Sequence, residues 1–402
     1  MVNSFNTRPE ILWRQVWGLA ALLAAIIFSW MVYGFYQPKI LQQLEFFELA
    51  SWLGIIQGLL ATVIEPLIGK ISDRIQQRLG SRLPMISVGV VLAGLIFVTV
   101  SLLAQQNFPV GTRWIIPVLM TAWVIAVMSF RSPTIALLTQ FVPIAELPQA
   151  NAILVFVFGL VAAIGLMGNT LFYSMGASIT FLLGAIALVL GAYILQLFTP
   201  KHSFDPYTLN QDLSADAPSL LLILIFVIGL ATGIEVNLLL SIFPQELQTK
   251  LPGLQVEFIV SEILLVSAIA SLPLGEWTAE LGADKSMLIG LGSMTGLMGL
   301  TLLNDNNIIA IGLILAFGVS VSLVLISMIS LVLNKIPSMQ AGLGTGLYFG
   351  GTAGGTAIIS LLTKQVGITS IGAFLLAEFT FLVVTVCIHS SHKLKQKPER
   401  IF

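Results

Sequence analysis

The sequence has few charged residues and a single cysteine, and each shortage excludes a class of protein. Only 9% of its 402 residues are Asp, Glu, Lys or Arg, whereas a soluble protein has about 25% because its surface must be hydrated. With 57% hydrophobic residues and a mean hydropathy of +0.98, the chain is predicted to be an integral membrane protein. The lone Cys387 excludes an intrachain disulfide and a cysteine metal cluster.

Other shortages narrow the possible partners. The formal net charge is −1, so the chain has no basic face to neutralise the phosphates of a nucleic acid. The histidines His202, His389 and His392 lie outside the long apolar runs or at the edge of one, which argues against a buried zinc site. Without a nucleophile–base pair or a phosphate-binding loop, we expect neither an enzyme nor a cofactor.

Apolar segments long enough to cross a membrane recur along the whole chain. A helix needs about 20 apolar residues to span the bilayer core, and it satisfies its own backbone there. Twelve spans are predicted, at residues 14–36, 47–68, 85–104, 114–139, 150–171, 176–198, 219–243, 258–275, 286–303, 308–333, 341–363 and 369–390. The first lacks a small-residue cleavage site and is too long for a removed signal peptide.

The distribution of Lys and Arg predicts the orientation. With twelve crossings both termini lie on one side of the membrane. That side would carry Arg8, Arg14, Lys70, Arg74, Arg78, Arg82, Lys201, Lys285, Lys335, Lys393, Lys395, Lys397 and Arg400. The other side would carry only Lys39, Arg113, Lys250 and Lys364. The positive-inside rule therefore predicts that both termini are cytoplasmic, in the plasma (inner) membrane.

The chain divides into two halves that repeat each other. Residues 199–218 are the longest polar break and are predicted to be a cytoplasmic linker between a six-helix bundle at 1–198 and another at 219–402, which ends in a short tail. Pro66-Leu67 and Pro273-Leu274 open similar segments 207 residues apart. Such repeats are typical of secondary transporters, whose site lies near the membrane midplane between the halves. We expect a monomer.

Two motifs resemble a known family. Residues 69–84 read GKISDRIQQRLGSRLP, and residues 130–138 read FRSPTIALL, followed by Pro143 and then Gln149-Ala150-Asn151. They resemble the major facilitator superfamily, and within it the branch of glycoside–cation symporters and sucrose transporters. The resemblance implies the all-α major facilitator fold and a secondary transporter of a small organic solute. Proton-coupled transport of a sugar or glycoside is favoured.

The chain departs from that branch at two places. The aspartate expected after the arginine of the fourth span is absent from Thr139-Gln140, and Pro148-Gln149 stands where a basic residue is expected before Ala-Asn. If that aspartate carries the proton in relatives, this chain needs another proton carrier.

The loop after the second span is the candidate for conformational gating, through Asp73, Arg74 and Gly69. The resemblance implies that Asp73 contacts the start of the eleventh span, where the positive helix dipole attracts a carboxylate. We interpret Arg74, Arg78 and Arg82 mainly as residues that hold the loop in the cytoplasm and contact lipid.

Ionisable residues inside the spans are unfavourable in lipid and are therefore candidates for solute binding or ion coupling. Arg131 and Glu65 lie at similar depth and either pair to join two helices, or leave Arg131 to engage the solute. Glu235 and Glu262 lie at similar depth on consecutive spans, and neighbouring buried carboxyl groups hold a proton more readily. Glu235 is thus the predicted proton carrier.

Uncharged residues complete the candidate site. Tyr33, with Trp30, could stack on a sugar ring, and Asn237 could hydrogen-bond a solute. Two other functions remain open: a multidrug or metabolite efflux antiporter, and a transport-inactive assembly or pigment-handling factor of the same fold. A polar cavity would favour a hydrophilic solute, an apolar cavity would favour efflux, and a closed centre would favour the third function.

Overall fold

Twelve long helices make up most of the part of the chain that the structure, a computed structural model, describes: residues 10–103, 106, 109–199 and 216–396. They are α1 (Trp13–Gln43), α2 (Phe47–Leu79), α3 (Leu83–Leu103), α4 (Ile115–Ala136), α5 (Leu147–Met167), α6 (Asn169–Phe198), α7 (Ser219–Ser241), α8 (Val256–Leu281), α9 (Ala283–Leu303), α10 (Asn307–Lys335), α11 (Ala341–Gln365) and α12 (Ser370–Gln396). Within these described residues, eleven helical segments are long and apolar enough to cross a membrane. The exception is α11, because its glycines lower its hydropathy.

Helix ends depart from the predicted spans where polar residues continue a helix. The second span was predicted to end at residue 68, but α2 continues to Leu79 and stops at Gly80, whose φ of +72° suits glycine. α6 is interrupted at Gly176, which is non-helical with φ of +78°. Short helices, Leu138–Phe141 and Phe243–Lys250, follow α4 and α7.

The buried apolar residues form one main cluster in each half. The first is built mainly from α1–α6, and the second from α7–α12. The aromatic rings of Phe97 and Trp123 stack in the first, with centroids 4.3 Å apart. Of the predicted linker, residues 200–215 lie outside the described residues, as do Arg8 and the tail from residue 397 onward.

The two most extensive contacts between the halves are those of α2 with α11 and of α5 with α8. Glycine allows the first pair to approach at backbone distance: a Cβ on Gly69 would collide with the carbonyl of Gly342, and one on Gly346 would collide with the carbonyl of Glu65. The face of α11 that packs against α7 also carries glycine, and a Cβ on Gly351 would collide with the backbone of α7. α11 thus lies between α2 and α7 and approaches the backbone of each closely through its glycines.

The two ends of the bundle carry different contacts between the halves. We call the end that holds the α2–α3 connection, predicted to be cytoplasmic, the latch side. At the opposite end, Lys364 of α11 donates to the Ser51 hydroxyl at 2.8 Å, and its ammonium lies 3.9 Å from the ring centroid of Trp52 on α2. Contacts between α2 and α11 therefore extend along both helices.

Candidate functional site

A cavity of about 700 Å³ lies between the halves. Its wall is formed by α1, α2, α4 and α5 of the first half and by α10 and α11 of the second. Most lining side chains are apolar. The polar or charged ones are Tyr33, Gln37, Gln57, Glu65, Arg131, Asn151, Thr352 and Thr356. Among the described residues, none from α7 or α8 lines this cavity.

Glu65 and Arg131 form an ion pair in the cavity wall. Glu65 Oε1 lies 3.1 Å from Arg131 Nη2, and the Ser132 hydroxyl donates to Glu65 Oε2. The Glu65 side chain is 0% exposed, whereas 26% of the Arg131 side chain is exposed. The Arg131 guanidinium also lies over the Phe349 ring of α11, 4.6 Å from its centroid. Both residues line the cavity, and the cationic member of the pair is the more accessible one.

Tyr33 lines the cavity but is held by protein neighbours. Its ring stacks on Trp123 with centroids 4.8 Å apart, and its hydroxyl donates to Gln57 Oε1 at 2.8 Å. Only 4% of Tyr33 is exposed, so little of the ring is left to stack on a sugar. Trp30 is half-buried, lies edge-on to Tyr33 and also lines the cavity.

Replacing Tyr33 by phenylalanine should have a small effect. The stack on Trp123 is kept, while the hydrogen bond to Gln57 is lost, so we expect the free energy of unfolding to fall by about 1 kcal/mol. Thermal unfolding of the purified variant measures this. Loss of solute binding by Tyr33→Phe at unchanged stability would instead mean that the hydroxyl contacts the solute.

The latch is built on Asp73. Its Oδ1 accepts from the Gly342 N–H and its Oδ2 from the Leu343 N–H, both at 2.8 Å, at the first turn of α11. Arg82 Nη2 lies 2.6 Å from Asp73 Oδ1, and Arg82 also donates to the Ala136 carbonyl at 3.4 Å. A charged group of the first half thus binds the amino end of a helix in the second, where the helix dipole favours an anion.

The residues predicted for gating differ in how deeply they are buried. Gly69 is buried against Gly342, and Arg74 is exposed. The interpretation of Arg82 as a lipid-contacting residue is wrong, because its side chain is 0% exposed and pairs with Asp73. An apolar environment requires such a partner for a buried guanidinium.

Asn151 makes a second connection between the halves on the latch side. Its Nδ2 donates to the carbonyls of Leu325 and Ile326 on α10, at 2.9 and 2.8 Å. Nearby, the Thr345 hydroxyl of α11 donates to the Ser132 carbonyl at 3.3 Å. In the sequence, Asn151 stands out only as part of the Gln149-Ala150-Asn151 motif that follows the fourth span. A buried amide at the start of an apolar span was the feature that could have identified it.

The other predicted site residues lie away from the cavity wall. Glu235 is fully buried within the second half, where the Thr295 hydroxyl of α9 donates to its Oε1 at 3.1 Å. Glu262 on α8 and Asn237 on α7 are half-buried. The structure brings Glu65, Arg131 and Tyr33 to one cavity, and Asp73 and Gly69 to the latch.

Comparison with known proteins identifies the fold. No protein-family model matches the sequence, and no curated protein is significantly similar to it. The human organic anion transporter MFSD10 (TETRAN) has a similar structure, with a TM-score of 0.70 at 15% sequence identity. The match covers 94% of this chain and 99% of that one.

The match confirms the all-α major facilitator fold that the two motifs implied. This chain is a multi-pass membrane protein. Because 263 solved chains match, the fold selects neither a branch of the superfamily nor a substrate.

Proposed function

We propose that this chain is a secondary transporter that moves an amphiphilic organic solute through the central cavity by alternating access. The observation that carries this proposal is the cavity itself: about 700 Å³ of space between two halves, with apolar walls and one charged pair. The shared fold supports it, and the solved relative is itself described as an organic anion transporter.

The composition of the wall favours an amphiphile over the sugar suggested by the branch resemblance. Each hydroxyl of a buried sugar needs a hydrogen-bond partner, because an unpaired polar group in an apolar site is unfavourable by about 1–3 kcal/mol. The cavity offers few such partners, and Tyr33 is already covered by Trp123. An apolar wall was also the feature expected of the efflux alternative, whereas an assembly factor has no need of a lined cavity.

Alternating access requires contacts that form on one side of the membrane and break in the other state. Asp73 and Asn151 each join the first half to the second on the latch side. We propose that these contacts hold the latch side closed. They would separate when the halves rock about the α2–α11 and α5–α8 contacts to open the cavity toward that side.

A ligand screen that compares the wild type with a variant whose cavity is filled by a side chain tests the proposal. Gly34 lines the cavity, and a Cβ there would meet nothing within 4 Å, so Gly34→Trp should occupy the cavity without unfolding the protein. Purified wild-type protein should unfold at a higher temperature with an amphiphilic solute, since a ligand at 100 times its Kd stabilises the folded state by about 2.7 kcal/mol. Gly34→Trp should lose this shift.

Gly296→Trp is the matched control, because Gly296 is exposed on α9 and its Cβ would also meet nothing. It should respond to the solute like the wild type. Equal shifts for wild type and Gly34→Trp would contradict solute binding in this cavity. If only sugars raised the unfolding temperature, the solute would instead be a sugar, as the resemblance to the glycoside–cation symporters implies.

A further inference from the structure

We propose that the solute of the central cavity is an organic anion whose acidic group binds Arg131 in place of Glu65, and that a proton binds Glu65 together with each anion. This inference rests on the proposed transport function and names its substrate class and its coupling. It also assigns the proton that is coupled to transport to Glu65 rather than to Glu235.

The sign of the solute charge follows from which member of the ion pair is accessible in the cavity. The Arg131 side chain is 26% exposed and the Glu65 side chain is 0% exposed. A solute entering the cavity therefore meets a guanidinium, which repels cations and binds carboxylate or sulfonate groups through paired hydrogen bonds. Arg131 Nε is buried and has no hydrogen-bond partner among the described residues, so the contact with Glu65 leaves part of the donor capacity of the guanidinium unused.

The rest of the wall suits an organic rather than an inorganic anion. Trp30, Phe158, Met128 and Met328 line the space beyond the ion pair. Aromatic and methionine side chains provide apolar and adaptable surface for a hydrocarbon tail. One charged end and an apolar body are the two features that the cavity recognises.

Displacement of Glu65 from Arg131 couples anion binding to a proton. Among the described residues, the charged or titratable groups that α1 and α4 bring to this part of the cavity are Tyr33 and Arg131, and α11 brings the backbone of Gly346. Asp73, further along α2, is already paired with Arg82. Within the part of the chain that the structure describes, Arg131 is therefore the cation on which Glu65 depends.

A buried carboxylate that loses its partner is strongly unfavourable. Glu65 can avoid this by taking a proton from a buffer acid in the solvent: the acid loses its bond to hydrogen and stays in solution as the conjugate base, and one O–H bond forms on Glu65, which neutralises the group. Arg131 is then paired with the bound anion, and Glu65 is a neutral acid that is hydrogen-bonded with Ser132. One anion and one proton occupy the site together.

The test uses three probes with the same tail: phenylhexanoate, its neutral amide phenylhexanamide, and phenylhexylammonium. Binding to the purified full-length protein is measured by calorimetry at pH 7 in buffers of different ionisation enthalpy, which counts the protons taken up. Wild type should bind phenylhexanoate about ten-fold or more tighter than the amide, with uptake of about one proton. Gly34→Trp should bind none of the three probes.

Variants separate the two residues. Glu65→Gln, which can keep the hydrogen bond with Ser132, should bind phenylhexanoate without proton uptake. Arg131→Met should bind the acid and the amide equally. The double variant with both changes leaves no unpaired charge and provides a folded reference if either single variant is unstable. Glu257→Gln, an exposed carboxyl at the start of α8, should behave like the wild type.

Several results would overturn the inference. Tighter binding of the ammonium or the amide, or no binding of any probe, would exclude the organic anion. Proton uptake that persists in Glu65→Gln, or that disappears in Glu235→Gln, would exclude Glu65 as the coupling group. A sugar or other solute whose binding is lost in Gly34→Trp would leave the transport proposal standing while this inference fails.

Discussion

Asp73→Asn should abolish transport and leave the latch side open. The carboxylate accepts two backbone N–H groups of α11 and pairs with a buried arginine, and hydrogen bonds to a charged group contribute about 1.5–3 kcal/mol each. An asparagine is neutral and has one acceptor oxygen, so it cannot accept both N–H groups equally well. Loss of about 3 kcal/mol from the closed state would shift the balance between the states by about 100-fold.

The same substitution leaves Arg82 without its carboxylate. The Arg82 side chain is 0% exposed, and removing one member of a buried ion pair is unfavourable by about 3–5 kcal/mol. Arg82, Asp73 and the Ala136 carbonyl all belong to the first half, so this loss should lower the stability of that half rather than favour one state. Arg82→Ala combined with Asp73→Asn should recover part of the stability but not the transport.

Cysteine accessibility measures the opening. The chain has a single cysteine, Cys387, so Cys387→Ser gives a background without thiols. In that background Thr345→Cys places a reporter at a buried position between α4 and α11. A water-soluble maleimide should label the reporter slowly with Asp73 present and much faster with Asp73→Asn.

Glu280→Gln is the matched control, because Glu280 lies 207 residues after Asp73, the offset between the repeated Pro-Leu pairs, and is exposed. It should leave both labelling and transport unchanged. Wild-type labelling and transport in Asp73→Asn would show that the observed contacts do not hold the latch side closed.

Gly346→Val should prevent the halves from packing together. A Cβ at this position would lie inside the contact distance of the Glu65 carbonyl and 3.1 Å from the Pro66 Cα. Backbone atoms of α2 cannot rotate aside as a flexible side chain can, so the two helices must separate. We expect the free energy of unfolding to fall by about 3 kcal/mol or more, at the upper end for overpacking.

Gly296→Val isolates this effect, because it places the same side chain in the middle of a long helix where nothing lies within 4 Å. Both substitutions change helix propensity alike, so the difference between their unfolding temperatures measures the α2–α11 contact. Purified yield and thermal unfolding in detergent are the readouts. Equal unfolding temperatures would mean that α2 and α11 are not packed at backbone distance.

Residues whose partners are set by chain order or depth could be predicted from the sequence. Asp73 was expected at the start of the eleventh span, and its carboxylate lies there. Depth along two helices suggested a pair of Glu65 and Arg131, and their side chains are in contact. The expectation for Asp73 came from the resemblance to the major facilitator superfamily, whereas the pair of Glu65 and Arg131 needed only the rise per residue and the charge of each group.

Rotation of a helix about its own axis could not be predicted in the same way. Depth placed Glu235 near the level of a site, but packing of α7 turns its carboxyl to Thr295 on α9. Tyr33 looked available for a solute because its partner Trp123 is distant in sequence. Hydrophobic periodicity gives little help here, since a span that is apolar all round has no strongly marked face.

The glycine faces of α11 have a consequence for the speed of the conformational cycle. Where two helices meet through glycine, no side chain of one is held between side chains of the other, so they can shift along each other with few changes of rotamer. The polar contacts of α11 with α2 include Asp73 at the start of α11 and Lys364 near its end. We therefore expect the rate of the cycle to depend more on the contacts at the ends of α11 than on its glycine-rich middle.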